Sequence, residues 1–431
     1  MRKAATRLAV LLIAAFACAA SADAAQHNKP TTAMTAANMS APSLPVTGAS
    51  LLVADSRTPL WSLHGNAQLP IASTTKMMTA LVVLQRVKNL NTVFTQTDWR
   101  ADAADSQIGL SPGEQMTVHD LLVALLLPSA DDAAEDLAYN VGHGSIGAFV
   151  AMMNREARKL GLRHTHYTTP IGLDTPGNYS SAADLVKLAE YDLSHSKFFA
   201  HTVAEPSAVL STGPVRYVTN LNTLVGTVPW INGVKTGHTN EAGYVLIASG
   251  DKHGMPLITA VLGTDSETAR STNTMALMNY GYGNFRSWTP IRAHQVVARP
   301  AIKDRSGVHV PVYAAASFTR ILPRHARVRI RTDVPAQLAG PLPRGTVVGS
   351  AKVVENGHVI KSVPVVLERT LPTVSGLTLA ARTVTKPLTL ALVAVVVALA
   401  LAALVIARRR RGTGGPGRPG GGENDREWEV A

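Results

Sequence analysis

With one cysteine in 431 residues, 16% charged side chains and 5% aromatics, the chain is most informative first by what it has little of. The one cysteine, Cys18, lies near the N-terminus. That excludes an internal disulfide, a zinc site built on cysteines and a cysteine nucleophile in the body of the chain. No glycine-rich loop of the phosphate-cradling kind is present, and the 14 histidines are scattered. His164 and His166 stand two apart with no partner motif, so they read as solvated side chains rather than metal ligands. Nothing in the sequence asks for a metal or any other cofactor. Basic residues do not cluster with aromatics along a groove, which excludes nucleic acid as a partner. A hydrophobic content of 46% excludes a disordered chain, and Gly 33 with Pro 25 excludes a collagen-like one. No internal repeat is visible.

The apolar residues are concentrated at the two ends. Arg2, Lys3 and Arg7 precede an apolar run from Leu8 to Ala20, followed by Ser21, Ala22, Asp23 and Ala24. Residues 1–24 therefore read as a secretory signal whose removal takes Cys18 with it. The alternative is a lipoprotein signal acylated at Cys18, for which Ala15 and Phe16 make a poor site. Leu388–Ala407 is uncharged, is built of Leu, Ala, Val and Ile apart from Thr389, and is long enough to cross a bilayer. Arg408 to Arg411 follow at once and place residues 408–431 on the cytoplasmic side, with the body of the chain outside the cell. The leader carries +3 and the segment after Ala407 carries +2, so of the formal +12 the exported part keeps +7, or +8 without Asp23. So mild a bias suits an anionic cell-wall polymer or lipid headgroups.

Between the ends, residues 25–45 have no period and read as a linker. Ser50–Ala54 and Leu60–Leu63 flank a turn with Asp55 and Pro59, a hairpin pattern. Thr74–Lys88 repeats apolar residues at three- and four-residue steps through Met77, Met78, Leu81, Leu84 and Val87, which predicts a helix. Val118–Leu127, Ile146–Leu160 and Ser181–Asp192 predict three more, the last capped by Ser180 or Ser181. Val234–Gly237 and Tyr244–Ser249 read as paired strands. Strands at both ends with helices between predict an α+β domain over 46–288. Helical period is then lost, and 289–370 reads as a small all-β domain. There Ala326, Val328, Ile330 and Thr332 alternate with Arg327, Arg329 and Arg331, predicting a strand with one wet face. Asn356–Gly357 is a strong hairpin signal between Val347–Val354 and Val359–Leu367. Residues 371–387 would be a stalk to the membrane helix 388–407.

A serine three residues before a lysine on a helix puts both side chains on one face. A lysine so placed can take the hydroxyl proton if burial or nearby positive charge lowers its pKa. Ser73-Thr74-Thr75-Lys76 has this form, and so do Ser194–Lys197 and Ser249–Lys252. Only Ser73 opens a long helix, where free N–H groups and the helix dipole favour an oxyanion. Lys235-Thr236-Gly237 ends a predicted strand; its hydroxyl and ammonium can hold a carboxylate, and its glycine admits an approaching backbone.

In this order the two motifs resemble the serine D-alanyl-D-alanine carboxypeptidases of the low-molecular-weight penicillin-binding class. The resemblance is carried by Ile71–Thr79, Leu127–Ala134, Gly172–Asp174 with Tyr179 and Ser180, and Asn232–Thr239 with Ala242–Tyr244. It covers about 46–369 and implies a β-lactamase/transpeptidase-like fold with an antiparallel sheet and helices. It also implies Ser73 as the acyl-forming nucleophile, Lys76 as its general base and Ser129 as a proton relay. Lys235, Thr236, Gly237, His238 and, in the middle motif, Asp131 would bind substrate, with the N–H groups of Ser73 and His238 as the oxyanion hole. Arg270 matches an arginine that assists carboxylate binding. The implied substrates are peptidoglycan stem peptides, and β-lactams are the implied inhibitors. The sequence does not indicate the oligomeric state.

One position departs from the family. The middle motif ends in asparagine there, and in Asp131 here; Ser271-Thr272-Asn273 has the literal pattern but follows Lys235 and is out of order. A carboxylate only accepts hydrogen bonds and favours the charged form of a nearby lysine. Asp131 is therefore expected to raise the Lys76 pKa and slow acylation, so that Asp131→Asn gains rate. The plainer reading is that Asp131, Asp132, Glu135 and Asp136 serve a helix N-terminus. A cell-wall-binding scaffold with a decayed site remains an alternative, resting on Asp131 alone. A β-lactamase is a second, although no Glu-x-x-Leu-Asn motif lies between Ser129 and Lys235.

Overall fold

A computed structural model describes residues 42–102, 105–305, 307–373 and 387–411. The expected signal, most of the linker and stalk, and the tail beyond residue 411 lie outside the described residues. The chain divides into two units: Met1–Thr289 with Thr319–Ala326, and Pro290–Phe318 with Arg327–Ala431. The first unit thus takes in Thr319–Ala326, which a single boundary at residue 288 assigns to the β-domain.

The first unit is built on a five-stranded antiparallel sheet. Its strands are β1 (Gly48–Val53), β2 (Thr58–Leu63), β3 (Ile231–Thr239), β4 (Gly243–Asp251) and β5 (Pro256–Thr264), in the order β2-β1-β5-β4-β3. Both faces are buried. Leu52, Val245, Ile247, Ile258, Ala260 and Leu262 point into a core shared with helices. Their neighbours Leu51, Val53, Leu246, Ala248, Leu257 and Val261 point into a second core on the opposite face. The period of two thus reads as a nearly continuous apolar run in each central strand.

The larger core holds helices α1 (Lys76–Arg86), α2 (Val118–Leu126), α3 (Asp131–Val141), α4 (Ile146–Lys159), α5 (Ala182–His195) and α6 (Lys197–Ala204). Caps are as the sequence suggests at α5, where Ser181 accepts from the Asp184 N–H at 3.2 Å. Ser196 and Thr117 cap α6 and α2 in the same way. The second core is closed by α7 (Glu267–Asn284) through Leu277, Met278 and Tyr282. Helices α3, α6 and α7 are not signalled by period. α3 opens on charged residues, α6 has only eight residues, and α7 mixes Arg, Asn, Thr and Gly into its buried side.

The second unit carries a five-stranded sheet of Val296–Ala298, Val312–Ala314, His358–Val366, Val347–Glu355 and Val328–Asp333, in that order. Its long hairpin turns at Asn356–Gly357, both with positive φ. The arginine strand corrects the expectation of one wet face. It is the sheet's outer strand, and Ile330, on the supposedly buried side, is 44% exposed, while Arg329 and Arg331 are exposed on the other. Alternation in sequence needs a covering layer to become burial. Pro387–Arg411 forms a helix long and apolar enough to cross a membrane, with a mean hydropathy of 3.2 over its most apolar stretch and none of that stretch buried.

Candidate active site

Ala72–Thr75 form a 3-10 turn that leads directly into α1, so Ser73 sits in that turn, three residues before the helix begins at Lys76. Turn and helix are held from the side by the loop 170–178. Thr79 Oγ1 donates to the Pro170 carbonyl at 2.6 Å, and Asn178 Nδ2 donates to Thr75 Oγ1 at 3.3 Å. A Cβ on Gly172 would lie 2.1 Å from the Ala72 carbonyl oxygen, so only glycine lets the loop come this close.

The loop also reaches Lys76. Lys76 Nζ donates to Ser73 Oγ at 2.8 Å and to the Ile171 carbonyl at 2.8 Å, and it also donates to Asp131 Oδ1. Lys76 is 0% exposed, and all three ammonium protons are taken up by these acceptors. Asp131 is the first residue of α3 and is itself buried; its backbone N–H donates to the Ser106 carbonyl at 2.7 Å.

Ser129 lies between α2 and α3 with φ of 66°, a conformation L-residues avoid. Its hydroxyl is buried and has no hydrogen-bond partner among the described residues.

Strand β3 brings the second motif in at the edge of the sheet. Its register against β4 pairs Lys235 with Ile247, Gly237 with Val245 and His238 with Tyr244. A Cβ on Gly237 would lie 3.0 Å from the Ser73 backbone nitrogen and 2.9 Å from the Ala72 side chain. The strand and the serine turn therefore touch at that glycine. Thr236 is buried, and Lys235, 1% exposed, donates to the Thr236 carbonyl at 3.2 Å. The His238 ring is exposed and packs on Tyr244, centroids 4.0 Å apart.

Arg270 projects from α7, buried, with its guanidinium 5.7 Å from the Tyr244 ring. It donates to Glu267 Oε1 at 2.7 Å and to the Leu221 carbonyl at 3.2 Å, while its Nε has no partner among the described residues.

Burial governs the electrostatics here. It lowers the Lys76 pKa, against the opposing pull of Asp131. The upward pull of Asp131 on Lys76 expected from sequence is present, but loss of solvent outweighs it and the net direction is downward. Lys235 is held well below its ordinary value, by burial first and then by the charge on Lys76, with Arg270 adding to the effect. Burial also raises the Asp131 pKa, opposed by Lys76 and reinforced by Asp105.

The two other serine–lysine pairs do not assemble. Ser249 Oγ donates to Asn232 Oδ1 at 2.7 Å on β4, and Ser194 is exposed at the end of α5 beside His195. Asn273 lies on α7, away from the motif order that Ser129 satisfies. His166 Nδ1 lies 2.8 Å from the Gly177 carbonyl, and among the described residues no cluster of His, Cys, Asp or Glu is arranged to hold a metal. Sequence reading missed the Ile171 carbonyl, the Leu221 carbonyl and Glu267. Two of these act through the backbone and leave no side-chain signature.

A family model described as D-alanyl-D-alanine carboxypeptidase matches residues 35–266. The chain is 33% identical over 331 residues to the D-alanyl-D-alanine carboxypeptidase DacC of Escherichia coli strain K12, covering 70% of this chain and 79% of that protein. It is 28% identical over 345 residues to DacF of Bacillus subtilis strain 168, with 78% and 88% covered. Among solved structures it resembles penicillin binding protein 5 from Haemophilus influenzae, with TM-score 0.60 and 26% identity over 78% of this chain and 99% of that one.

Proposed function

The chain belongs to the D-alanyl-D-alanine carboxypeptidases, a family of serine hydrolases, and from that premise we propose that it removes the terminal D-Ala of peptidoglycan pentapeptide stems through an acyl-enzyme on Ser73. The observation that carries this reading is the enclosed contact of Lys76 Nζ with Ser73 Oγ at 2.8 Å, beside the β3 edge.

In the proposed cycle Lys76, as the neutral amine, takes the Ser73 proton while Oγ attacks the penultimate D-Ala carbonyl. The N–H groups of Ser73 and His238 receive the developing oxyanion, which is why the approach of Gly237 to the Ser73 nitrogen matters. The substrate backbone runs along the edge of β3 past Gly237. Its terminal carboxylate lies against Thr236, Lys235 and Arg270, and the unpartnered Arg270 Nε supports that assignment. Ser129 passes a proton to the departing D-Ala nitrogen, a role supported by its buried, unengaged hydroxyl. Water then hydrolyses the acyl-enzyme. A β-lactam, which mimics the terminal dipeptide, acylates Ser73 by the same step. The apolar helix Pro387–Arg411 anchors the protein, with the arginines from Arg408 on the cytoplasmic side and the catalytic unit outside the cell.

The test treats the protein with labelled penicillin and then with a tripeptide ending in D-Ala-D-Ala. Label on Ser73 with release of D-Ala is expected. Absence of label favours a cell-wall-binding scaffold, and label that is shed rapidly without D-Ala release favours a β-lactamase.

A further inference from the structure

We propose that Asp131 is a proton store for the nucleophile: it takes one proton from Lys76 and so frees the amine that accepts the hydroxyl proton of Ser73. The inference rests on the acyl-enzyme reading above. It reverses the role that the carboxylate suggests on paper, where it only holds Lys76 charged.

The argument is one of accounting for protons inside a closed space. As an ammonium, Lys76 spends its three protons on Ser73 Oγ, the Ile171 carbonyl and Asp131 Oδ1. In that state it donates to Ser73 and has no lone pair with which to receive a proton. One proton has to leave Nζ before catalysis. The side chain is fully enclosed, so the proton has no direct path to bulk water. Of the three contacts, an amide carbonyl is far too weak a base, and the hydroxyl is the group to be deprotonated. Asp131 is the acceptor that remains. An asparagine at this position could hydrogen-bond Lys76 but could not take its proton.

The charged neighbours agree with this. Asp131 faces Lys76 on α1 and Lys235 on β3, while Asp105 lies nearby and Asp132 and Glu135 share its own helix. Arg270 acts on the group through Lys235. Burial disfavours both ions of the pair, moving the Lys76 pKa down and the Asp131 pKa up, so the uncharged amine and carboxylic acid draw closer in energy to the ion pair. Glu135, pushed up to about 7 by burial and by Asp131, shows the same strain on a neighbouring carboxylate.

The steps balance. An N–H bond of Lys76 breaks as an O–H bond forms on Asp131, and the amine turns its lone pair toward Ser73. The Ser73 O–H bond then breaks, its proton going to Nζ, while Oγ bonds to the substrate carbonyl carbon and the carbonyl electron pair moves to oxygen. On collapse, Lys76 gives a proton to the leaving nitrogen by way of Ser129. Asp131 then returns its proton to Lys76, and the ion pair is restored. Asp131 touches no substrate and acts through Lys76, which makes it a positioning residue.

The test is the pH profile of Ser73 acylation by a fluorescent penicillin in the full-length protein and in Asp131→Asn and Asp131→Glu. With a proton store in place, the wild-type rate is expected to persist at acid pH down to the carboxylate range, and Asp131→Glu should keep that profile. In Asp131→Asn the proton must come off an amine, so the acid limb should move up by about one unit or more. At pH 6 the variant should be about tenfold slower, and it should approach the wild-type rate at alkaline pH. A merely structural loss would lower the rate at every pH and leave the limb in place, which overturns the proposal. Faster acylation by Asp131→Asn at pH 7 also overturns it, by showing that the carboxylate only restrains Lys76. If Asp131→Asn fails to fold, the wild-type profile decides, since an acid limb in the amine range refutes the store. Failure of every form to label Ser73 at any pH refutes the acyl-enzyme reading itself, and this proposal falls with it.

Discussion

Two groups of cations in this molecule carry the same charge in opposite surroundings. Lys76 and Lys235 are enclosed in the first unit, where burial lowers both of their pKa values. Arg329 and Arg331 stand in water on the outer strand of the second unit's sheet. The difference teaches that a positive charge becomes a chemical tool when solvent is taken from it. An enclosed lysine can exist as an amine at neutral pH and interacts strongly with what little polar matter surrounds it. An exposed guanidinium is screened and stays charged.

The sharpest way to break this contrast is at Lys76. Lys76→Met keeps the apolar stem and removes the base, and acylation by labelled penicillin should fall by roughly 10⁴-fold or more. Residual acylation within tenfold of wild type would mean that another group activates Ser73. Lys235→Met should cost about 10- to 100-fold in kcat/KM for a D-Ala-D-Ala tripeptide, the worth of one or two charge-assisted hydrogen bonds to a carboxylate. An amide-capped tripeptide should be indifferent to that change.

A buried anion extends the comparison. Asp192 is enclosed, neither carboxyl oxygen has a partner among the described residues, and burial, reinforced by Glu156, raises its pKa well above the ordinary value. The unfolded chain ionises it more readily than the folded one does. The folded state therefore loses stability as pH rises above the unfolded value of about 4, until the folded group itself titrates. Asp192→Asn should flatten that slope and raise the melting temperature at pH 7 by a few degrees relative to wild type. Melting curves between pH 4 and 8 read both effects. At the small end, Arg329→Ala and Arg331→Ala should change stability by no more than about 0.5 kcal/mol and leave acylation untouched. A larger loss in thermal or denaturant melts would mean that the strand's charge has a role its exposure does not suggest.

Much of the site was legible from local spacing. A three-residue step puts Ser73 and Lys76 on one face, and a glycine after Lys-Thr at a strand end marks close approach. What escaped notice depends on contacts distant in sequence. Ile171 enters through its carbonyl, 95 residues from Lys76, and no residue type announces such an acceptor. Arg270 could be matched by position, but the helix that carries it has no clean apolar stripe because its small residues pack against the sheet. The sign of the Lys76 shift was out of reach as well. Proximity to Asp131 could be guessed from sequence, whereas enclosure is a property of the whole fold. The strand at Val328–Asp333 failed for the complementary reason: its alternation is real, and nothing buries one side of it.

The edge position of β3 has a cost outside catalysis. A sheet border left unpaired is open to the border of another protein molecule, the usual beginning of sheet-to-sheet aggregation. Here the serine turn crosses that border at Gly237, and the strand sets the exposed side chains of Asn232 and His238 along it. A strand border crowded in this way is a poor template for a second folded sheet, so the close approach at Gly237 also guards the molecule's solubility.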